Sequence, residues 1–367
     1  MIYLDNAATT SLCDAAKQSI IDHLDDFGNP SSSYEFGRKS RLLIEDARER
    51  IAKCINAEPN EIYFTSGGSE ANTWALNNRL SVSTNIEHHS IVPCRSVLNV
   101  ATDGTVSMQY AEYKLKDIIE NFFTRPTILS CMYVNNEIGT IQPIKQLAHI
   151  AHSNGMKFHT DAVQAVGHIK IDVKDLDVDM LSASAHKFNG PKGVGFLYVK
   201  DGVKIKPLIN GGKQEQGVRG GTENILGIVS MAYALEDAIN NMDERNKHIK
   251  HLRDMLLYKL LQIPGSHLNG SQENRVVSNI NIRFDNVPGS RLVSMCDLFG
   301  LCISTGSACN EGQAIPSNVL KAIGLSDEDA LNSVRITIGH ENTEAEIDQA
   351  ANIITKLVER IRENEKT

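Results

Sequence analysis

The chain has 367 residues, 41% of them hydrophobic and 22% charged, with 37 Lys and Arg against 45 Asp and Glu for a formal net charge of -8. That balance suits one large core plus a smaller unit, and an acidic chain without a basic run argues against nucleic acid as a partner. No run reaches the roughly 18 uninterrupted apolar residues of a membrane span, and the opening Met1–Asn6 lacks a signal-peptide pattern. Seven cysteines without a CxxC pair are expected as free thiols rather than a disulfide framework or zinc site. A reducing, cytoplasmic setting follows as the expectation.

Over the first 240 residues, short β-rich runs alternate with helical patterns. Glu61–Thr65 reads as a strand entering Ser66-Gly67-Gly68-Ser69. Further strands are expected around Ile128–Met132, Met156–Asp161, Met180–Ser184 and Gly193–Val199, with a helix from about Ile144 to Asn154. Alternation at this spacing implies parallel pairing through helical crossovers, with ligands beyond the carboxyl ends of the strands. A single long helical pattern follows from about Asn224 to Gln262 and stops at Pro264-Gly265. Beyond it, Val276–Phe284 alternates as a strand, Ser290–Phe299 reads as a helix and Leu301–Ser304 as a strand, before an amphipathic C-terminal helix from about Thr343. This stretch is expected to form a second, α+β unit with a boundary near residue 240.

Five clusters carry chemistry. Lys187 lies in Ser184-Ala185-His186-Lys187, after a strand and before Gly190-Pro191-Lys192-Gly193; a lysine there can form a Schiff base with an aldehyde cofactor once burial lowers its pKa. Asp161, 26 positions earlier and followed by Gln164, suits the partner of a protonated pyridine nitrogen. Gly67-Gly68-Ser69 between strand and helix can turn backbone N–H groups towards an anion. Glu87-His88-His89 offers an imidazole to stack on a ring, and the pattern alone does not separate His88 from His89. Cys309, in Gly306-Ser307-Ala308-Cys309-Asn310-Glu311-Gly312, is flanked by small and polar residues, as a reactive and accessible thiol requires. Cys302, in an apolar run, is expected to be packed. Each feature has an ordinary reading: a solvated lysine, a helix N-cap, a plain turn, a core histidine. Their order and joint chemistry point to one kind of site.

With these motifs in view, the chain resembles the pyridoxal-phosphate enzymes of fold type I, and more narrowly the NifS/IscS cysteine desulfurases of the class V aminotransferase group. The resemblance runs through YLDNAATT (3–10), GNPSS (28–32), TSGGSEAN (65–72), NNEIGTIQP (135–143), HTDAVQAVG (159–167), SASAHKFNGPKGVG (182–195), GGKQEQGVRGGTEN (211–224) and GSACNEG (306–312). It implies an α/β fold whose large domain (14–240) has a mixed, mostly parallel sheet flanked by helices. A smaller α+β domain (1–13 and 241–367) would carry the cysteine loop.

The implied cofactor is pyridoxal 5'-phosphate, with Lys187 carrying it, Asp161 on its ring nitrogen, Gln164 on its phenolic oxygen and His88 stacked on the ring. Gly68, Ser69, Ser184 and His186 would hold the phosphate, joined by Thr222 from the other subunit of a homodimer. Asn136 would contact cofactor and substrate, and Arg335 would clamp the substrate carboxylate. The implied reaction converts L-cysteine to L-alanine and leaves a persulfide on Cys309, for delivery to an iron–sulfur scaffold or another sulfur acceptor. No resident metal is implied, although Cys309 could touch an iron–sulfur cluster in passing. Tyr34, Asn310-Glu311 and His340-Glu341-Asn342 depart from the family pattern without removing a residue assigned to chemistry. The alternatives are a selenocysteine lyase, another aminotransferase-type enzyme on the same scaffold, or a cofactor-bearing docking protein that does not turn over.

Overall fold

The computed structural model describes residues 1–91, 96–121, 125–306 and 315–364. In chain order the strands are β1 (Ile2–Tyr3), β2 (Ile62–Thr65), β3 (Ser81–Thr84), β4 (Ser96–Leu98), β5 (Ile128–Ser130), β6 (Lys157–Asp161), β7 (Met180–Ser184), β8 (Gly195–Val199), β9 (Ser266–Leu268), β10 (Asn279–Phe284), β11 (Leu301–Cys302) and β12 (Ser333–Thr337).

The main sheet has the order β2-β8-β7-β6-β5-β3-β4. β8 pairs antiparallel with both β2 and β7, while the pairs from β7 to β4 are parallel. β8 is therefore the one reversed strand of this sheet among the described residues, and the carboxyl ends of β2, β3, β5, β6 and β7 share an edge. Alternation within the strands covers both faces. Leu129, Leu181, Ala183, Phe196 and Tyr198 join the principal core, whereas Ile128, Met180, Leu197 and Val199 pack on the other face with Ala71 and Trp74 of the helix Gly68–Leu76.

A second core surrounds the sheet β12-β10-β9. Leu252, Leu256 and Leu260 recur at helical spacing and meet Ile280, Ile282 and Phe284 from alternate positions of β10. Ile347, Ile354, Val358 and Ile361 of the helix Glu344–Asn364 close it, and Ile2 and Leu4 enter it from the opposite end of the chain. The expected mixed, mostly parallel sheet with a smaller α+β unit is thus what the chain forms. Residues after Ser317 are shared differently: Val319, Leu320 and Ile323 pack on Ile86, Met132 and Ile138.

Two local expectations need correction. The long helix from Asn224 to Gln262 is two helices, Ile225–Asn240 and Met242–Leu260, broken at Asn241. The Asn241 side chain donates to the Asp237 carbonyl oxygen and to Asp237 Oδ1, a local bond that competes with helix continuation. Cys302 is only half-buried, because β11 has two residues and directs Leu301 rather than Cys302 into the core. Among the described residues, no helix is long and apolar enough to cross a membrane.

Candidate active site

The shared strand edge opens on a cavity of about 290 Å³ lined by Gly68, Ser69, Asn72, His88, Met132, Asn136, Asp161, Val163, Gln164, Ser184, His186, Lys187 and Arg335, with Ala7 and Ala8. Ten of the twelve residues picked from sequence therefore meet in one place. Thr222 is exposed and outside the lining of this cavity. Cys309 lies outside the described residues.

Lys187 follows β7 in a single 3-10 turn, Ala185–Lys187. Its Nζ donates to the carbonyl oxygens of Ala7 (2.6 Å) and Ala8 (2.8 Å). Burial, aided by the Arg335 guanidinium and opposed by Asp5 and Asp161, pulls its pKa down to about 8. About a tenth of the amine is then free at pH 7, far more than for an unperturbed lysine.

Asp161 ends β6, 4% exposed. Burial pushes its carboxyl above the usual range, opposed by hydrogen bonds from the Val163 N–H (2.9 Å) and Asn72 Nδ2 (2.7 Å), and by His88 and Lys187. Asn72 Nδ2 also donates to Ser90 Oγ, which lies 2.8 Å from His88 Nδ1. The Ser90 N–H donates to that same Nδ1, so Nδ1 is an acceptor and the neutral ring carries its proton on Nε2. Burial lowers the His88 pKa, which favours the neutral ring.

At the other end, the helix Gly68–Leu76 begins after Gly67, whose φ of +149° is open to glycine at little cost. A Cβ at Gly68 would lie 2.6 Å from Val163 Cγ2, so only glycine lets this helix end approach the loop after Asp161. The helix N-terminus presents free N–H groups to an anion. His186 lies beside them as a neutral imidazole, its pKa pulled to about 4 by burial and by Lys187 and Lys192. Gln164 Nε2 donates to the Ala7 carbonyl oxygen at 3.0 Å.

These groups fit pyridoxal 5'-phosphate. An amine with a lowered pKa suits an aldehyde, a glycine-bounded helix terminus suits a phosphate, and a cationic ring nitrogen would relieve the cost of burying Asp161. Asn72 Oδ1, buried at the cavity without a hydrogen-bond partner among the described residues, adds an acceptor.

Sequence reading gave no role to Asn72, Asp5 or Glu87. Asn72 falls three residues after Ser69 in the same motif, and that helical spacing was the available signal. Glu87 is held by Thr84 Oγ1 (2.5 Å) and the Met132 N–H (3.0 Å), and burial pushes its carboxyl up to about 8. Asp5 accepts from Arg335 Nη2 at 2.7 Å, a pairing invisible without the fold.

Residues 2–350 match the class-V aminotransferase family. The chain is 41% identical over 374 residues to the cysteine desulfurase IscS of Methanosarcina thermophila, covering 98% of this chain and 93% of that relative. A solved NifS-like protein superimposes with a TM-score of 0.89 at 33% identity, covering 98% of this chain and 99% of the other. SspA, solved in complex with cysteine, gives 0.79 at 31% identity over 94% of this chain and all of the other (100%). The chain belongs to the class-V aminotransferases, among the cysteine desulfurases of the NifS/IscS kind.

Proposed function

We propose that this chain is a pyridoxal-phosphate-dependent cysteine desulfurase that takes sulfur from L-cysteine, releases L-alanine and passes the sulfur on from Cys309. The observation that carries the reading is the cavity, where Lys187, Asp161, His88 and Arg335 converge from four different strand ends or strands. When bound, the cofactor supplies the electron sink that acidifies the substrate's α-carbon.

Lys187 would carry the cofactor, with Asp161 available to its ring nitrogen, His88 to its ring and Gln164 to its phenolic oxygen. Gly68, Ser69, Ser184 and His186 would take the phosphate, with Thr222 supplied by a second copy of the chain. Asn136 and Arg335 receive the amino acid. Arg335 Nη1 donates to the Asn136 carbonyl oxygen at 2.9 Å, which fixes the guanidinium plane before a carboxylate arrives. As a free amine, Lys187 moves a proton at Nζ, a task matched to a pKa near 8. His88, protonated on Nε2, exchanges a proton near the substrate sulfur.

Cys309 Sγ acts as a thiolate. A bond forms between Sγ and the substrate sulfur as the substrate Cβ–S bond breaks. The carbon skeleton takes up protons and leaves as L-alanine, and the persulfide stays on Cys309. The electron pair of the broken Cβ–S bond stays on carbon, so persulfide formation needs no external oxidant, and exchange with an acceptor thiol then passes the sulfur on without net reduction. The acceptor would be an iron–sulfur scaffold protein or another sulfur-acceptor protein.

One spectrum and one assay test the reading. The purified holoenzyme should absorb as a lysine-linked pyridoxal, and release L-alanine and sulfide in equal amounts from L-cysteine with a reductant. Cys309→Ala should stay coloured and give no sulfide. A colourless protein after addition of pyridoxal phosphate, or sulfide release that survives Cys309→Ala, overturns the proposal.

A further inference from the structure

Arg335 arrives at the cavity already holding a carboxylate. Its Nη2 donates to Asp5 Oδ1 at 2.7 Å and its Nη1 to the Asn136 carbonyl oxygen, while Nε is buried without a hydrogen-bond partner among the described residues. The side chains are 6% and 19% exposed, so solvent screens this pair only partly.

The backbone explains how residue 5 reaches residue 335. The Thr337 N–H donates to the Leu4 carbonyl oxygen, and the Ala7 N–H donates to Thr337 Oγ1, which lays the N-terminal segment along β12. Two residues further on, the same segment offers its Ala7 and Ala8 carbonyl oxygens to Lys187 Nζ. A single stretch of chain thus touches both cations of the site, one through a carboxylate and the other through carbonyl dipoles.

We propose that Asp5 is a built-in competitor for Arg335, occupying one amino group of the guanidinium that the substrate carboxylate must share or take. The inference rests on the reading of Arg335 as the substrate clamp. An incoming carboxylate meets an arginine that is oriented but half-neutralised, and the Asp5 charge opposes its approach. L-Cysteine and L-alanine carry the same α-carboxylate, so Asp5 weakens the hold on both and favours release of product. Such an interaction changes ground-state binding more than the chemical step. Asp5 is a positioning residue, since it acts through Arg335.

Lys187 provides a readout that needs neither cofactor nor turnover. It is faced by Arg335, Asp5 and Asp161, and by the imidazoles of His88, His186 and His168. Removing the Asp5 charge leaves Arg335 less compensated, so the ammonium form of Lys187 loses support and its titration midpoint must fall.

Apoprotein of wild type, Asp5→Asn and Asp5→Glu would be labelled with trace acetic anhydride across pH, and Lys187 acetylation followed by peptide mass spectrometry. The holoenzymes would then be assayed for the KM of L-cysteine and for inhibition by L-alanine. The expected result is a Lys187 midpoint lowered by about half a pH unit in Asp5→Asn. KM and the L-alanine inhibition constant should fall together by about threefold, with kcat held and Asp5→Glu restoring the wild-type values. An unchanged midpoint, or a KM that is unchanged or raised, overturns the proposal. Wild-type holoenzyme that binds pyridoxal phosphate yet consumes no L-cysteine overturns the desulfurase reading instead, and the apoprotein midpoint still decides whether Asp5 is coupled to the site.

Discussion

Asn72 Nδ2 lies 2.7 Å from Asp161 Oδ2, one turn into the helix whose first residues we propose as the anion cradle. The contact ties the two ends of the cofactor site together and supports the charged form of a carboxylate that burial works against. Because Asn72 also bonds Ser90, which in turn bonds His88, one amide orients both the carboxylate and the imidazole. In Asn72→Ala the Asp161 pKa should rise further, so the acidic limb of the kcat/KM profile should move to higher pH. Asp161→Asn should retain phosphate-anchored cofactor but lose at least about a hundredfold in kcat, since the ring nitrogen no longer meets a negative charge. Stopped-flow spectra and pH–rate profiles of the two variants read these effects separately.

Loading of the cofactor should report on Lys187 directly. Only the free amine attacks an aldehyde, and the apoprotein amine titrates at about 8. The rate of colour development on mixing apoprotein with pyridoxal phosphate should therefore rise with pH and level off above that value, roughly two units earlier than for an unperturbed lysine. Lys187→Arg, which keeps the charge, should bind the phosphate end and develop no lysine-linked absorbance.

Glu137 bonds Ser317 on one side of the stretch that contains Cys309 and lies near Gly306 on the other. Ser317 Oγ donates to Glu137 Oε2 at 2.5 Å, and a Cβ placed on Gly306 would lie 3.4 Å from Glu137 Cγ and 3.7 Å from Arg335 Cβ. Ser317 also caps the helix Asn318–Ala322 by accepting from the Val319 and Leu320 N–H groups. Ser317→Ala should cost about 1 kcal/mol of stability as a lost cap. It should also lower kcat for sulfide formation several-fold with KM for L-cysteine held, because the shoulder of the thiol-bearing segment loses its anchor while the substrate clamp does not. A fall in melting temperature alone, with kcat intact, would assign Ser317 a purely structural part.

What was legible in the sequence follows from how locally each feature is determined. Lys187, Asp161 and Gly68 sit at strand ends within short motifs, where the turn chemistry and the reacting group are read together. Alternation in β7 and β8 likewise announces two covered faces, as Leu181 and Met180 bear out. The Asp5–Arg335 pair spans 330 positions and depends on the N-terminal segment lying along β12, which no local pattern encodes. Glu87 looked like a neighbour of the interesting histidine, and its burial comes from packing near Met132. The break at Asn241 was missed because apolar periodicity continues through it, while the asparagine side chain decides the outcome.

The segment 211–224 depends on a buried ion pair that can be tested without cofactor. Arg48 donates from Nη1 and Nη2 to Glu215 Oε2 and Oε1 at 2.9 and 3.0 Å, with side chains only 9% and 3% exposed. The Phe64 N–H donates to the same carboxylate, and Arg48 stacks over the Phe64 ring. Glu215 and Gln216 both hold positive φ, 44° and 56°, a conformation that costs non-glycine residues on the order of 1 kcal/mol each. The ion pair is what offsets that strain. Glu215→Ala takes the buried carboxylate from Arg48, which keeps the Ile62 carbonyl oxygen and the half-exposed Glu45, and leaves the Phe64 N–H without its acceptor, and should destabilise the protein by about 3 kcal/mol in urea titrations of the apoprotein. Arg48→Met should cost a similar amount. The double variant Arg48→Met with Glu215→Leu should lose less than the sum, since no charge is then stranded. It should still fall short of wild type by about 1–3 kcal/mol, because the Phe64 N–H keeps no acceptor. A strictly additive double variant would show that the two side chains stabilise the segment independently rather than as a pair.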